Sequence, residues 1–212
     1  MTEPTMVFLV RHGATAWNLE KRAQGHADIE LNDEGRRQAI HVANELTHEQ
    51  IDAVYASDLK RARDTGTAIA APHGLEVQTD PDFREIDQGD WEGLTTEEIR
   101  GRWPDLWGPN RHYNTRPGGE SPLQVRTRAL AALARVVEAH PGGRIVVVSH
   151  GGTIRWISAE ALGYDDYRSR RIRGLGNGAV VSMSALVDDG RLVLSDFARL
   201  DGNTTDLDDP ND

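Results

Sequence analysis

Residues 7–18 read VFLVRHGATAWN, an apolar run that ends on Arg11, His12 and Gly13. Near-continuous apolarity from Met6 to Val10 is the pattern of a strand covered on both faces, as strands of a parallel sheet are. Stopping such a strand on two strongly polar side chains costs burial energy, so a function is expected of them. The arrangement recurs in RIVVVSHGG, residues 144–152, where a second buried strand stops on His150 and Gly151.

Outward from these two strands, the chain alternates strand and helix patterns. Asn32 can cap a helix with Ala39, Val42, Ala43 and Leu46 at helical spacing. Ala53–Ala56 reads as a short strand, and a helix from Asp58 onward follows with Leu59, Ala62, Ile69 and Ala70. Leu75–Gln78 reads as a third strand. Two capping boxes predict further helices, Thr95 with Glu98 and Ser121-Pro122 with Gln124, the first stopped by Pro104. After the second histidine strand, a helix is expected from about Thr153 to Leu162. AVVSMSALVDDGRLVLSDF, residues 179–197, alternates in the manner of an antiparallel hairpin turning on Asp-Asp-Gly. This order predicts an α/β fold, a mainly parallel sheet between two helical layers with an antiparallel C-terminal hairpin. Ligands of such folds sit beyond the carboxyl ends of the strands, where both His-Gly pairs fall.

Length and composition set the bounds. The chain has 212 residues, 38% hydrophobic and 27% charged, which suits one globular domain over residues 1–200 with a short cap excursion at about 95–120. Residues 201–212 carry little that packs and are expected to be a disordered acidic tail. No apolar stretch is long enough to span a bilayer, and the first residues lack a secretory pattern, so no membrane association and a cytoplasmic location are expected. The absence of cysteine excludes disulfides and thiolate chemistry. A formal net charge of −10 argues against general nucleic-acid binding, and an anionic ligand must then be held by a local cation cluster. Lys21 and Lys60 are the only lysines, so those cations are arginines, which suit planar recognition of oxyanions.

Neither strand-to-loop turn fits a glycine-rich nucleotide fingerprint, a phosphate loop or a nucleophile elbow. A zinc site would need a compact carboxylate or His-x-x-x-His partner, and the two strand-end histidines are accompanied by cations instead; no metal and no cofactor are expected. For His26, His41, His48, His73, His112 and His140 a structural role is the simpler reading. Arg11 beside His12, with Arg61 and Arg63 in SDLKRARDT, makes a cation pocket containing two imidazoles, a setting suited to a phosphoryl group.

LVRHGATAWN, SDLKRARDT, FREIDQGDWEGLT, PGGES and VVVSHGGTIR, in this order, resemble the motifs of the histidine phosphatase superfamily, the phosphoglycerate mutase-like fold. The resemblance runs from Val7 to about Leu186. It implies that His12 is the nucleophile and passes through a phosphohistidine, with its other ring nitrogen bonded to a backbone carbonyl of the following loop. It implies a phosphate pocket of Arg11, Asn18, Arg61, His150 and Gly151, and Glu85 as proton donor and then base. For that exchange near neutral pH, a carboxyl group needs burial or a neighbouring negative charge to hold its proton. Thr15, Gln24 and Gly25 fall where family members contact substrate, and Thr153 is a further candidate for the rim. Asp87, Asp90 and Glu92 read as solvated or structural, and Trp91 as packing.

The family contains both phosphatases and mutases. Its mutases carry a long insertion after the catalytic glutamate with a lysine and paired arginines. Here Ile86–Glu120 is short, lacks lysine and has only scattered arginines, which favours a phosphatase acting on a small phosphorylated metabolite such as a sugar phosphate or phosphoglycerate. A mutase and a non-catalytic phospholigand-binding relative are the alternatives. Trp103, Trp107, His112 and Tyr113 could line the acceptor pocket or merely pack the excursion. The arginine run at 168–173 could hold a second acidic group or face solvent, and homodimerisation is left open.

Overall fold

The computed structural model describes residues 3–107, 114–164, 172 and 175–200. Its strands are β1 (Thr5–Arg11), β2 (Ala53–Ala56), β3 (Val77–Thr79), β4 (Arg144–Ser149), β5 (Val180–Asp188) and β6 (Arg191–Arg199). Its α-helices are α1 (Ala16–Leu19), α2 (Asp33–Leu46), α3 (Lys60–Ala70), α4 (Thr96–Arg102), α5 (Pro122–Ala139) and α6 (Gly151–Ala161). The strands form one sheet in the order β3-β2-β4-β1-β5-β6. β3, β2, β4 and β1 are mutually parallel, while β5 runs antiparallel to β1 and pairs with β6 as a hairpin. The two residues between β5 and β6, Asp189 and Gly190, both have positive φ (46° and 73°), the tight-turn geometry that matches strand twist.

Alternation along each strand sends successive side chains to opposite layers. Val7, Leu9, Ile145, Val147, Val181 and Met183 face α5 and α6, against Leu133, Val137, Ile154 and Ile157. Phe8, Val10, Val54, Val146 and Val148 face α2 and α3, against Val42, Leu46, Ala62 and Ile69. Each buried aliphatic side chain contributes about 1.5–3 kcal/mol of transfer free energy, and the doubly covered centre of the sheet is therefore the rigid part of the molecule.

α2 follows β1 on one face and α6 follows β4 on the other, so the chain leaves these adjacent strands in opposite directions. A crevice opens between their carboxyl ends, the switch point of an α/β sheet. The register places Arg11 beside Ser149, and hence His12 beside His150.

Both predicted capping boxes form: Thr95 with Glu98 at α4, and Ser121 with Gln124 at α5. Asn32 caps α2 by accepting from Gly35 N. Three boundaries differ from expectation. The third strand is Val77–Thr79 rather than Leu75–Gln78, because the Leu75 amide is spent on Ala70 O at the preceding helix end. α3 starts at Lys60 rather than Asp58, because the Asp58 carboxylate is taken by Arg84, at 2.7 and 2.5 Å. α6 starts at Gly151, two residues before the predicted Thr153, with Ile154 N donating to His150 O. The tail from 201, His112, Tyr113 and the arginines of the 168–173 run lie outside the described residues. Among those described, no helix is long and apolar enough to cross a membrane.

Candidate active site

His12 and His150 emerge side by side from β1 and β4, with ring centroids 5.0 Å apart and planes tilted by 58°. Both are buried, His150 completely. His12 Nδ1 lies 2.7 Å from Gly13 O, and because a carbonyl only accepts, Nδ1 carries the proton and Nε2 presents a lone pair. His150 is the opposite tautomer. Arg61 Nε donates to its Nδ1 at 3.3 Å, which leaves the proton on Nε2. That Nε2–H is buried and meets no acceptor among the described residues. Burial first, and then the charge of Arg61, push both imidazoles well below the usual histidine value, so both are neutral near pH 7.

Arg61 is fully buried in the first turn of α3. Its remaining bonds run to Ala27 O at 2.7 Å and Gly25 O at 2.8 Å, which fix the guanidinium against the 25–27 loop. Burial lowers its proton affinity to about 10, so it keeps its charge at neutral pH. Arg11, the last residue of β1, donates from Nη1 to Leu175 O, while its Nε is buried without a partner among the described residues. Burial also lowers the Arg11 value. A Cβ on Gly151 would lie 3.4 Å from that Nε, so a glycine here keeps the space beside Arg11 open. Two arginines and an orphaned imidazole N–H, donors matched to phosphoryl oxygens, thus converge at the end of the sheet with a lone pair able to attack phosphorus.

Glu85 stands on the loop after the 3₁₀ turn Pro81–Phe83. Oε1 accepts from Ile86 N and Oε2 from Gly152 N, both at 3.0 Å. Arg84, next to it in sequence, does not pair with it but is engaged by Asp58. Gly152, not singled out in the sequence, is required here: a Cβ on it would lie 2.4 Å from Glu85 Oε1. The doubled glycine after His150 was the available signal.

The remaining candidates take up local duties. Asn18 Oδ1 accepts from Thr15 N at 3.0 Å, and the Asn18 amide donates back to Thr15 Oγ1 at 3.3 Å, which closes the capping box of α1. Thr15 is buried and also donates to Gln24 Oε1 at 3.0 Å. Gly25 holds Arg61 through its carbonyl. Thr153 is fully buried and donates to Arg84 O, so it is not a rim residue as expected; the helix face it occupies turns inward under the Glu85 segment. His26, read as merely structural, touches the site segment, with Nε2 3.0 Å from Glu85 O. Glu92 is structural as expected, accepting from the His26 and Ala27 amides at 2.5 and 3.2 Å. Trp91 is buried and packs with Trp103 and Trp107, at centroid distances of 6.3 and 5.8 Å.

Sequence reasoning also missed Asn177, Thr65 and Arg128. Asn177 Nδ2 donates to His12 O at 3.0 Å, and Thr65 Oγ1 accepts from Gly13 N at 3.1 Å. These contacts span long stretches of chain and leave no local pattern.

Comparisons with known proteins point to one family. The family model for the histidine phosphatase superfamily (branch 1) matches residues 7–197. The chain is 49% identical over 155 residues to phosphoglycerate mutase-like protein 4 of Arabidopsis thaliana, covering 70% of this chain and 67% of that one. It is 38% identical over 165 residues to the metal-independent phosphoserine phosphatase of the same plant, covering 74% and 68%. A solved mycobacterial glucosyl-3-phosphoglycerate phosphatase, in complex with VO3, superposes with a TM-score of 0.81 at 32% identity over 89% of this chain and 95% of its own. With two histidines at adjacent strand ends, an arginine beside each and five motifs in order, the chain belongs to the histidine phosphatase superfamily.

Proposed function

We propose that this protein is a phosphatase that hydrolyses small phosphomonoesters through a phosphohistidine on His12. The observation that carries the reading is the pair of opposite tautomers: a bare Nε2 on His12 beside a buried Nε2–H on His150. The first can attack phosphorus while the second, with Arg11 and Arg61, binds the oxygens on which charge develops.

In the first step the His12 Nε2–P bond forms and the ester P–O bond breaks, and the leaving oxygen takes a proton from Glu85. In the second, Glu85 takes a proton from water, the hydroxyl oxygen bonds to phosphorus, and the N–P bond breaks. Inorganic phosphate leaves, and the neutral imidazole and protonated Glu85 are restored. Gly151 gives the phosphoryl group room beside Arg11, and Asn18 borders the same pocket. Thr15, Gln24 and Gly25 act one step back, through Asn18 and Arg61. No step calls for a metal.

The similar plant and mycobacterial enzymes are named for phosphoserine and glucosyl-3-phosphoglycerate, and both substrates carry a carboxylate on the leaving group. Small esters of this kind, with sugar phosphates, are the substrates proposed here. Residues 1–200 act as one unit, with the segment around α4 as a cap over the acceptor. The test is a screen of phosphoserine, 3-phosphoglycerate, glucosyl-3-phosphoglycerate and sugar phosphates, with rapid quenching of a labelled ester. Acid-labile label on the wild-type protein and none on His12→Ala supports the reading. Interconversion of phosphoglycerates outrunning phosphate release would replace it with a mutase.

A further inference from the structure

Residues 82–85 run past the sheet with no strand partner among the described residues, yet each of their four carbonyls accepts from a side chain. Ser149 Oγ donates to Phe83 O at 2.7 Å, Thr153 Oγ1 to Arg84 O at 2.8 Å, and His26 Nε2 lies 3.0 Å from Glu85 O. The rest come from one residue of α5, Arg128. Its Nη1 donates to Asp82 O and Arg84 O, and its Nη2 to Glu85 O, each at 2.8 Å. Its Nε and Nη2 also hold both oxygens of Glu120, at 2.9 and 2.8 Å. All five N–H donors of the guanidinium are thereby used.

Glu120 extends the clamp to the other side of Glu85. Its Oε2 accepts from Asp87 N at 2.9 Å, and its own amide donates to Asp87 O at 3.0 Å. The backbone from 82 to 87 is thus held on both flanks of a single side chain, that of Glu85. We propose that Arg128, braced by Glu120, is a positioning residue for Glu85. It fixes the backbone from which the carboxyl group reaches the leaving oxygen, and it acts on the reaction only through that group. This inference rests on the reading of Glu85 as the acid.

A lysine at 128 keeps the charge but offers a single compact ammonium in place of a planar fork, so it cannot serve three carbonyls and a bidentate carboxylate together. The carboxyl group then drifts, and a misplacement near 1 Å costs about 10²-fold in rate. The loss should depend on how much the leaving oxygen needs its proton.

The experiment is a series of substituted phenyl phosphates, comparing kcat/KM, which reports steps only through formation of the phosphoenzyme. Wild type should depend weakly on leaving-group basicity and Glu85→Gln steeply. Arg128→Lys should follow Glu85→Gln, losing about 10–10²-fold on phenyl phosphate while p-nitrophenyl phosphate stays within about threefold. Glu120→Gln, which keeps an acceptor for the Asp87 amide, should tilt the same plot by less and serves if Arg128→Lys does not fold. Equal losses on all esters in Arg128→Lys or Glu120→Gln, with a steep plot for Glu85→Gln, would overturn the positioning role and leave the acid role intact. A plot that stays flat in Glu85→Gln would remove the acid role and this inference with it.

Discussion

His12 and His150 stand at the ends of neighbouring parallel strands, and register alone brings them together, Arg11 beside Ser149. Glu85 stands on a segment without a strand partner among the described residues, whose carbonyls are held by side chains from positions 26, 128, 149 and 153. The first arrangement is over-determined, since a row of ladder bonds and two buried layers must fail before the histidines move. The second depends on a few side chains, each from a different element. The proposed phosphoryl-accepting half of the site is therefore rigid by construction, while the proposed acid–base half is open to adjustment by single substitutions.

If that contrast is right, changes on the strand-end side should remove chemistry without moving structure. His12→Ala is expected to lower kcat/KM by about 10⁴–10⁶-fold, with His150→Ala losing about 10²–10³-fold as one oxyanion donor does, while circular dichroism stays unchanged. Retention of activity within tenfold in His12→Ala would end the comparison. On the other side, Gly152→Ala places a Cβ 2.4 Å from Glu85 Oε1, at the movable end of a side chain. Activity should fall by about 10²-fold through displacement of the carboxylate, and the urea midpoint should hold, because alanine suits a helix better than glycine. A large stability loss with unchanged specific activity would show Gly152 to be structural only.

The smallest effect concerns pH. Burial and Arg61 depress both strand-end imidazoles below the unfolded value near 6.5. Stability is then full above that value and declines as pH falls below it toward the folded values, because the unfolded chain takes up protons that the folded chain refuses. Replacing His150 by glutamine removes one such group. Between pH 7.5 and 5.5, wild type should lose about 1.4 kcal/mol more than this variant, read from urea unfolding. Equal losses would mean that the imidazole is not held neutral.

Much of the fold was legible because its determinants are local. The run from Met6 to Val10, the caps at Asn32, Thr95 and Ser121, and the Asp-Gly turn at 189–190 each act within a few residues of chain. The errors arose where a distant partner claimed a local signal. Asp58 could have started α3 but pairs with Arg84, and Thr153 could have faced the rim but supports Arg84 O. The aromatic residues of the excursion could be read as pocket or packing, and the described ones, Trp103 and Trp107, pack on Trp91.

By itself the sequence determined that two histidines end two buried strands and that arginines must neutralise whatever anion they meet. Side-chain period, capping and charge are properties of neighbouring residues, so no folding was needed to read them. Tertiary structure alone decided which tautomer His150 takes and that α5 supplies the fork behind Glu85. Those outcomes depend on donors and acceptors brought together from far along the chain, with Arg61 reaching His150 and Arg128 reaching Glu85. Hydrogen bonds act over about 3 Å of space, and sequence distance does not enter them.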